Sequence, residues 1–186
     1  DNFGIFLDST PERWGRVLLE RREAEMTRLE KRKVRNLFET EYLLGVYDGS
    51  RMGALRFKTD PSGEFLDNDS EMATPPWTSL RELENASLNL EDCPEVQQSK
   101  WLRMLVAPGS SLGGARPKAN VMHADGSLWI AKFPSRKDRR DVGAWEAVCC
   151  DMARKSGIKV SDFMTERFND KYHTFLTKRF DRTDEG

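Results

Sequence analysis

Leu128-Trp129-Ile130-Ala131-Lys132-Phe133-Pro134 carries the pattern of a buried strand. Its residues alternate as a strand does, with Trp129 and Ala131 facing opposite to Ile130 and Lys132. One lysine therefore sits on a rigid strand in an apolar setting. Just upstream, Asp125-Gly126 is a strong hairpin dipeptide, and Lys118 to Met122 reads as the partner strand. Downstream, Asp141 can cap a helix that runs to Ser156 and closes at Gly157. That helix presents Glu146 among Trp145, Ala147 and Val148. A second hairpin follows, Phe163 to Phe168 and Tyr172 to Phe180, turning at Asn169-Asp170.

Working back toward the start, Pro108-Gly109-Ser110-Ser111-Leu112-Gly113-Gly114 reads as a small-residue loop. Before it the pattern is mostly helical. Ser9-Thr10-Pro11-Glu12 opens a helix with Ser9 as cap, and Trp14, Val17, Leu18 and Leu29 give it an apolar face to about Lys33. Its arginines, Arg13, Arg16, Arg21, Arg22 and Arg28, interleave with glutamates, which reads as a solvated face. Glu41 to Tyr47 is a short helix, Met52 to Lys58 a strand, and 59–76 a surface loop. Ser79-Leu80-Arg81-Glu82 opens a helix to about Leu90. Pro94 breaks the chain, and residues 95–106 form a further helix with Val96, Leu102, Leu105 and Val106 inward. The expected class is α+β: a mostly helical part over 1–100, then antiparallel strands plus a helix over 101–186.

Bulk composition excludes some functions. Lys plus Arg number 30 against 31 for Asp plus Glu, a net charge of −1, which argues against coating nucleic acid and leaves room for a local basic patch. No apolar run approaches the roughly 18 residues of a membrane span, and no signal-peptide pattern appears. The chain starts at Asp1 and not Met, so a true N-terminus upstream is expected. Cys93, Cys149 and Cys150 make neither a disulfide framework nor a zinc spacing, as expected of reduced thiols in the cytoplasm.

The order glycine loop, strand lysine, helix glutamate and second hairpin is that of a kinase small lobe. Backbone amides of a glycine loop approach phosphate oxygens closely. A strand lysine supplies them a fixed positive charge, a helix glutamate holds that lysine extended, and a hinge offers backbone groups to a purine edge. Taken singly, each signal has a plain reading: a turn, a lysine snorkelling from an edge, an exposed helix residue. Their order within one segment favours a nucleotide-binding lobe.

Specific residues then carry a resemblance. Ser110-Ser111-Leu112-Gly113-Gly114-Ala115-Arg116-Pro117-Lys118 resembles the glycine-loop signature of HipA-family serine/threonine kinases. Leu128 to Phe133, Asp141-Val142-Gly143-Ala144-Trp145-Glu146 and Lys178-Arg179-Phe180-Asp181-Arg182 resemble later motifs of that family, in order. Phe3-Gly4, Asp8-Ser9, Arg13-Trp14-Gly15-Arg16 and Met52 to Phe57 resemble the end of its N-terminal subdomain.

The resemblance implies a kinase-like small lobe, with the large lobe expected outside this sequence. It implies ATP and Mg2+ as cofactors, with Gly113, Gly114, Ala115, Lys132, Lys178, Phe180 and Asp181 binding the nucleotide and Glu146 pairing Lys132. Ser111, or its neighbour Ser110, would be an autophosphorylation switch. The implied parent is a toxin of a toxin–antitoxin pair that phosphorylates a protein, aminoacyl-tRNA synthetases being family targets. Its implied partner is a HipB-like helix-turn-helix antitoxin, through which any DNA contact would come. No catalytic aspartate loop or metal-binding aspartate is recognised in this sequence. Asp162-Phe163-Met164 lacks the glycine of a metal-binding triplet and precedes the hinge, so catalytic and metal ligands are expected in the large lobe. The alternative is a non-catalytic module that binds an antitoxin or a kinase partner.

Overall fold

The hairpin expected around Asp125-Gly126 forms in register: β1 (Lys118–Met122) pairs antiparallel with β2 (Leu128–Lys132), Lys118 opposite Lys132 and Met122 opposite Leu128. A computed structural model shows this, and describes residues 4–68, 74–92, 99–169 and 171–182. Phe3, Cys93, Pro94, Val96, Asp170 and 184–186, on which sequence readings fell, lie outside the described residues. The class is α+β, with helices and one four-stranded antiparallel sheet.

The chain forms two compact units that interleave along the sequence: Asp1–Thr74 with Pro94–Ala115, and Pro75–Cys93 with Arg116–Gly186.

In the first unit α1 (Arg13–Leu29) packs on α4 (Ser99–Gly109), and α2 is a short helix over Glu39–Leu44. Trp14, Leu18, Leu19, Leu43, Val46, Leu102, Leu105 and Val106 are its buried apolar side chains. Each contributes roughly 1.5–3 kcal/mol relative to exposure. Ser9 does not cap α1. It ends a 3-10 turn, Gly4–Ser9, and Glu12 holds the cap position without a side-chain cap bond. The Glu12 carboxylate instead accepts from Gly114 N at 2.9 Å. The helix also stops before Lys33, because Lys31 takes φ +52° and the chain turns back so that Arg32 pairs with Glu23.

Met52 to Lys58 joins no sheet ladder. Its side chains make non-repetitive attachments. Arg56 binds the buried Asp48, Lys58 Nζ donates to the Pro61 and Gly63 carbonyls, and Gly53 takes φ +76°. Neighbouring Arg51 is fully buried. Its guanidinium donates to Leu43 O at 2.6 Å and Val46 O at 3.0 Å, and burial lowers its affinity for the proton.

In the second unit the sheet order is β1-β2-β4-β3, with β3 at Phe163–Glu166 and β4 at Thr174–Lys178. Helix α3 (Leu80–Asp92) packs with β1, and α5 (Val142–Lys155) packs with β3 and β4. Leu83, Leu90, Ala119, Val121, Ala131, Phe133, Phe175 and Leu176 are buried. Glu91 of α3 secures the loop after β2, accepting from Ser135 Oγ at 2.8 Å and Arg136 N at 2.7 Å. At the hairpin end Trp77 meets Trp129 edge to face, centroids 5.5 Å apart and planes at 86°. His123 lies against both rings. The close fit of α5 to β4 depends on Gly143, where a Cβ would lie 2.1 Å from His173 O.

Among the described residues no helix is long and apolar enough to cross a membrane.

Candidate functional site

β2 is an interior strand, bonded on one side to β1 and on the other to β4, so Lys132 at its end has a fixed origin. Helix α5 brings Glu146 to it, and the Lys132 ammonium pairs directly with a Glu146 carboxylate oxygen. Both side chains keep partial exposure, 28% and 30%. A pair this wet contributes about 0–1 kcal/mol, so its consequence is orientation more than stability. The Lys132 ammonium also lies 5.4 Å from the Phe175 ring centre. One turn beyond Glu146, burial and the Glu146 charge push the Cys150 thiol up.

The orientation of α5 is set at its first turn. Asp141 Oδ1 accepts from Ala144 N at 3.1 Å, capping the helix, and from His173 N at 3.1 Å. One carboxylate therefore joins α5 to the start of β4.

The hinge-like segment follows β4. Lys178 pairs with Trp129 across the ladder. Arg179, buried, is the anchor that sequence reasoning did not single out within its own motif. Its Nη1 donates to Asn120 Oδ1 at 3.0 Å, and Nε and Nη2 hold Asp181 in a fork at 2.9 and 2.6 Å. Burial works to raise the Asp181 carboxyl, but Arg179 and Arg182 outweigh it and leave it below the usual aspartate range. Between them Phe180 is 89% exposed, a bare ring beside an anchored carboxylate. A flat apolar face next to a fixed acceptor suits a purine nucleoside: stacking for the base, hydrogen bonds for ribose hydroxyls. Lys132 adds a charge suited to phosphate. The residues of this unit therefore fit ATP chemically.

Gly113, Gly114 and Ala115 belong to the first unit. Trp14 N donates to Gly114 O at 2.8 Å and Gly15 N to Leu112 O at 3.3 Å, pinning the loop to the start of α1. The approach is tight: a Cβ on Gly15 would lie 2.2 Å from Ser110 O. Glu12 was read only as a helix-opening residue, and its carboxylate sits on the Gly114 amide. Nothing in the local sequence signalled that contact, since 102 positions separate the two residues. Ser110 and Ser111 are both buried, and Ser111 Oγ donates to Ser50 Oγ at 3.3 Å. Among the described residues no group of three His, Cys, Asp or Glu side chains gathers as a metal site.

Comparison with curated proteins and comparison with solved structures each found no match. Residues 110–185 match the family model described as the HipA-like C-terminal domain.

Proposed function

We propose that this chain is the nucleotide-binding part of a HipA-like serine/threonine protein kinase that uses Mg2+ and ATP to phosphorylate a protein substrate. The observation that carries the reading is the Lys132–Glu146 pair, built on an interior strand and its packed helix inside the matched segment. In this reading Lys132 neutralises phosphate charge, Glu146 keeps it extended, Phe180 covers the adenine face, and Asp181, with the backbone at Lys178, fixes the nucleoside. Gly113, Gly114 and Ala115 supply backbone amides to the phosphates. ATP with Mg2+ supplies the transferable phosphoryl group. By family context the kinase is a toxin, a HipB-like helix-turn-helix antitoxin its partner and Ser111, or its neighbour Ser110, its modification site.

The test is incubation of the full reading frame with Mg-ATP, with phosphosites mapped by mass spectrometry beside a Lys132→Ala variant. Phosphate on Ser111, Ser110 or an added protein substrate that disappears in the variant supports the kinase. Nucleotide binding without any phosphate transfer replaces it with a non-catalytic binding module. Absence of nucleotide binding overturns the assignment of the lobe.

A further inference from the structure

Within the second unit, away from the Lys132 and Phe180 side chains, lies a cleft of about 300 Å³. That is room for a ligand the size of an amino acid. Its lining includes Glu84 from α3, whose side chain is fully buried. One Glu84 oxygen accepts from the Asn169 carboxamide and the other from the Thr174 hydroxyl. Both partners are neutral, and among the described residues Glu84 forms no direct ion pair, the charge of Arg81 reaching it only through space. Buried carboxylates are ordinarily paired with a cation. Burial accordingly pushes the Glu84 carboxyl up.

Asn169 places one of its two N–H donors on Glu84, and Asn89 Nδ2 places one on Asn85 O at 2.8 Å. Both carboxamides thus keep an oxygen acceptor for a ligand. Leu88 and Pro134 give the cleft an apolar wall. At the rim Lys171 is exposed, its ammonium 4.7 Å from the Tyr172 ring centre, with no carboxylate in ion-pair range among the described residues. Arg136, also at the rim, already pairs with Asp92 at 2.8 Å.

We propose that this cleft binds a small zwitterion of the basic amino-acid class. Its ammonium or guanidinium end meets the Asn89 and Asn169 acceptors backed by Glu84, its aliphatic stem lies along Leu88 and Pro134, and its carboxylate reaches Lys171. The site is separate from the nucleotide-binding residues proposed above and stands whether or not that reading holds.

The experiment is calorimetric titration of the 186-residue chain with L-arginine, L-lysine and agmatine, which lacks the carboxylate. One-site saturable binding of L-arginine or L-lysine is expected, with agmatine about ten-fold weaker. Glu84→Gln keeps the size of the side chain, its oxygen accepting from Asn169 and its N–H donating to the Thr174 hydroxyl, and is expected to weaken binding about ten-fold or more. Asn89→Leu, a substitution that preserves helix, carries the same expectation should the first variant fold poorly. Lys171→Ala is expected to bring arginine down to the level of agmatine. No saturable binding of any probe overturns the proposal, as does binding unchanged by both Glu84→Gln and Asn89→Leu. An arginine-to-agmatine ratio untouched by Lys171→Ala overturns the zwitterion assignment.

Discussion

Asp141 Oδ2 lies 2.5 Å from His173 Nδ1, while Oδ1 of the same carboxylate accepts from the backbone of both His173 and Ala144. A single side chain thus caps α5 and ties it to β4. Asp141→Ala is expected to destabilise the second unit by about 1–3 kcal/mol, a lost cap plus lost hydrogen bonds. Urea unfolding followed by near-ultraviolet circular dichroism measures it. Burial works to raise the Asp141 carboxyl, yet the His173 ring and the two backbone N–H groups hold it below the usual range. A depressed acid stabilises the fold above its ordinary value, and that contribution is lost as pH falls through the depressed one. Native protein should therefore lose stability on acidification more steeply than the Asp141→Ala variant.

Glu12 occupies an amide of the glycine loop as an anion would. If this loop serves phosphate, the carboxylate competes with it. Glu12→Gln should then tighten nucleotide binding by about three- to ten-fold, within the 1.4 kcal/mol of a decade. Titration with a fluorescent ATP analogue reads this directly, and unchanged affinity would mean that the contact only anchors the loop.

For Lys132→Ala the two consequences should separate. Stability should move by less than about 1 kcal/mol, since the pair with Glu146 is half wet, although nucleotide affinity should fall at least about ten-fold. Parallel thermal melts and nucleotide titrations test the split.

Arg179 is a stronger structural case. Its side chain is fully buried and serves Asn120 and Asp181 together. Arg179→Leu removes the Asn120 contact and the fork on Asp181, and breaking such a buried pair costs about 3–5 kcal/mol. The expected signature is a large drop in the unfolding midpoint. A change under about 0.5 kcal/mol, the range of an ordinary surface position, would refute its role as the anchor.

Glu84 gives the opposite pH response to Asp141. Its carboxyl is raised by burial. Stability is full below the ordinary glutamate value of about 4.3 and declines as pH rises through the raised one. Glu84→Gln should flatten that decline and leave the variant the more stable protein near neutrality. Melting temperatures across a pH series decide it.

Local signals explain what the sequence revealed. Lys118–Met122 and the turn at Asp125-Gly126 matched the reading because alternation and a hairpin dipeptide act over a few residues. The same is true of α5, where Asp141 caps as read. Met52 to Lys58, read as a strand, forms none: its charged side chains bind Asp48 and loop carbonyls instead of lining a ladder. At the candidate site the Lys132–Glu146 contact followed from element order. Glu12 on Gly114, Arg179 on Asn120, and Glu84 beneath Thr174 join residues dozens of positions apart, and no periodicity in one sequence encodes such meetings.

The Trp77–Trp129 pair gives the second unit an optical signature. Two indoles crossed at 86° with centroids 5.5 Å apart couple their transition dipoles when the crossing is chiral, and such coupling appears as a paired positive and negative band in circular dichroism. His123 lies 4.9 Å from one ring and 5.8 Å from the other. Because α3 follows directly on Trp77 and β2 carries Trp129, melting of either element separates the chromophores. The intact chain can thus report on this hairpin without any attached dye.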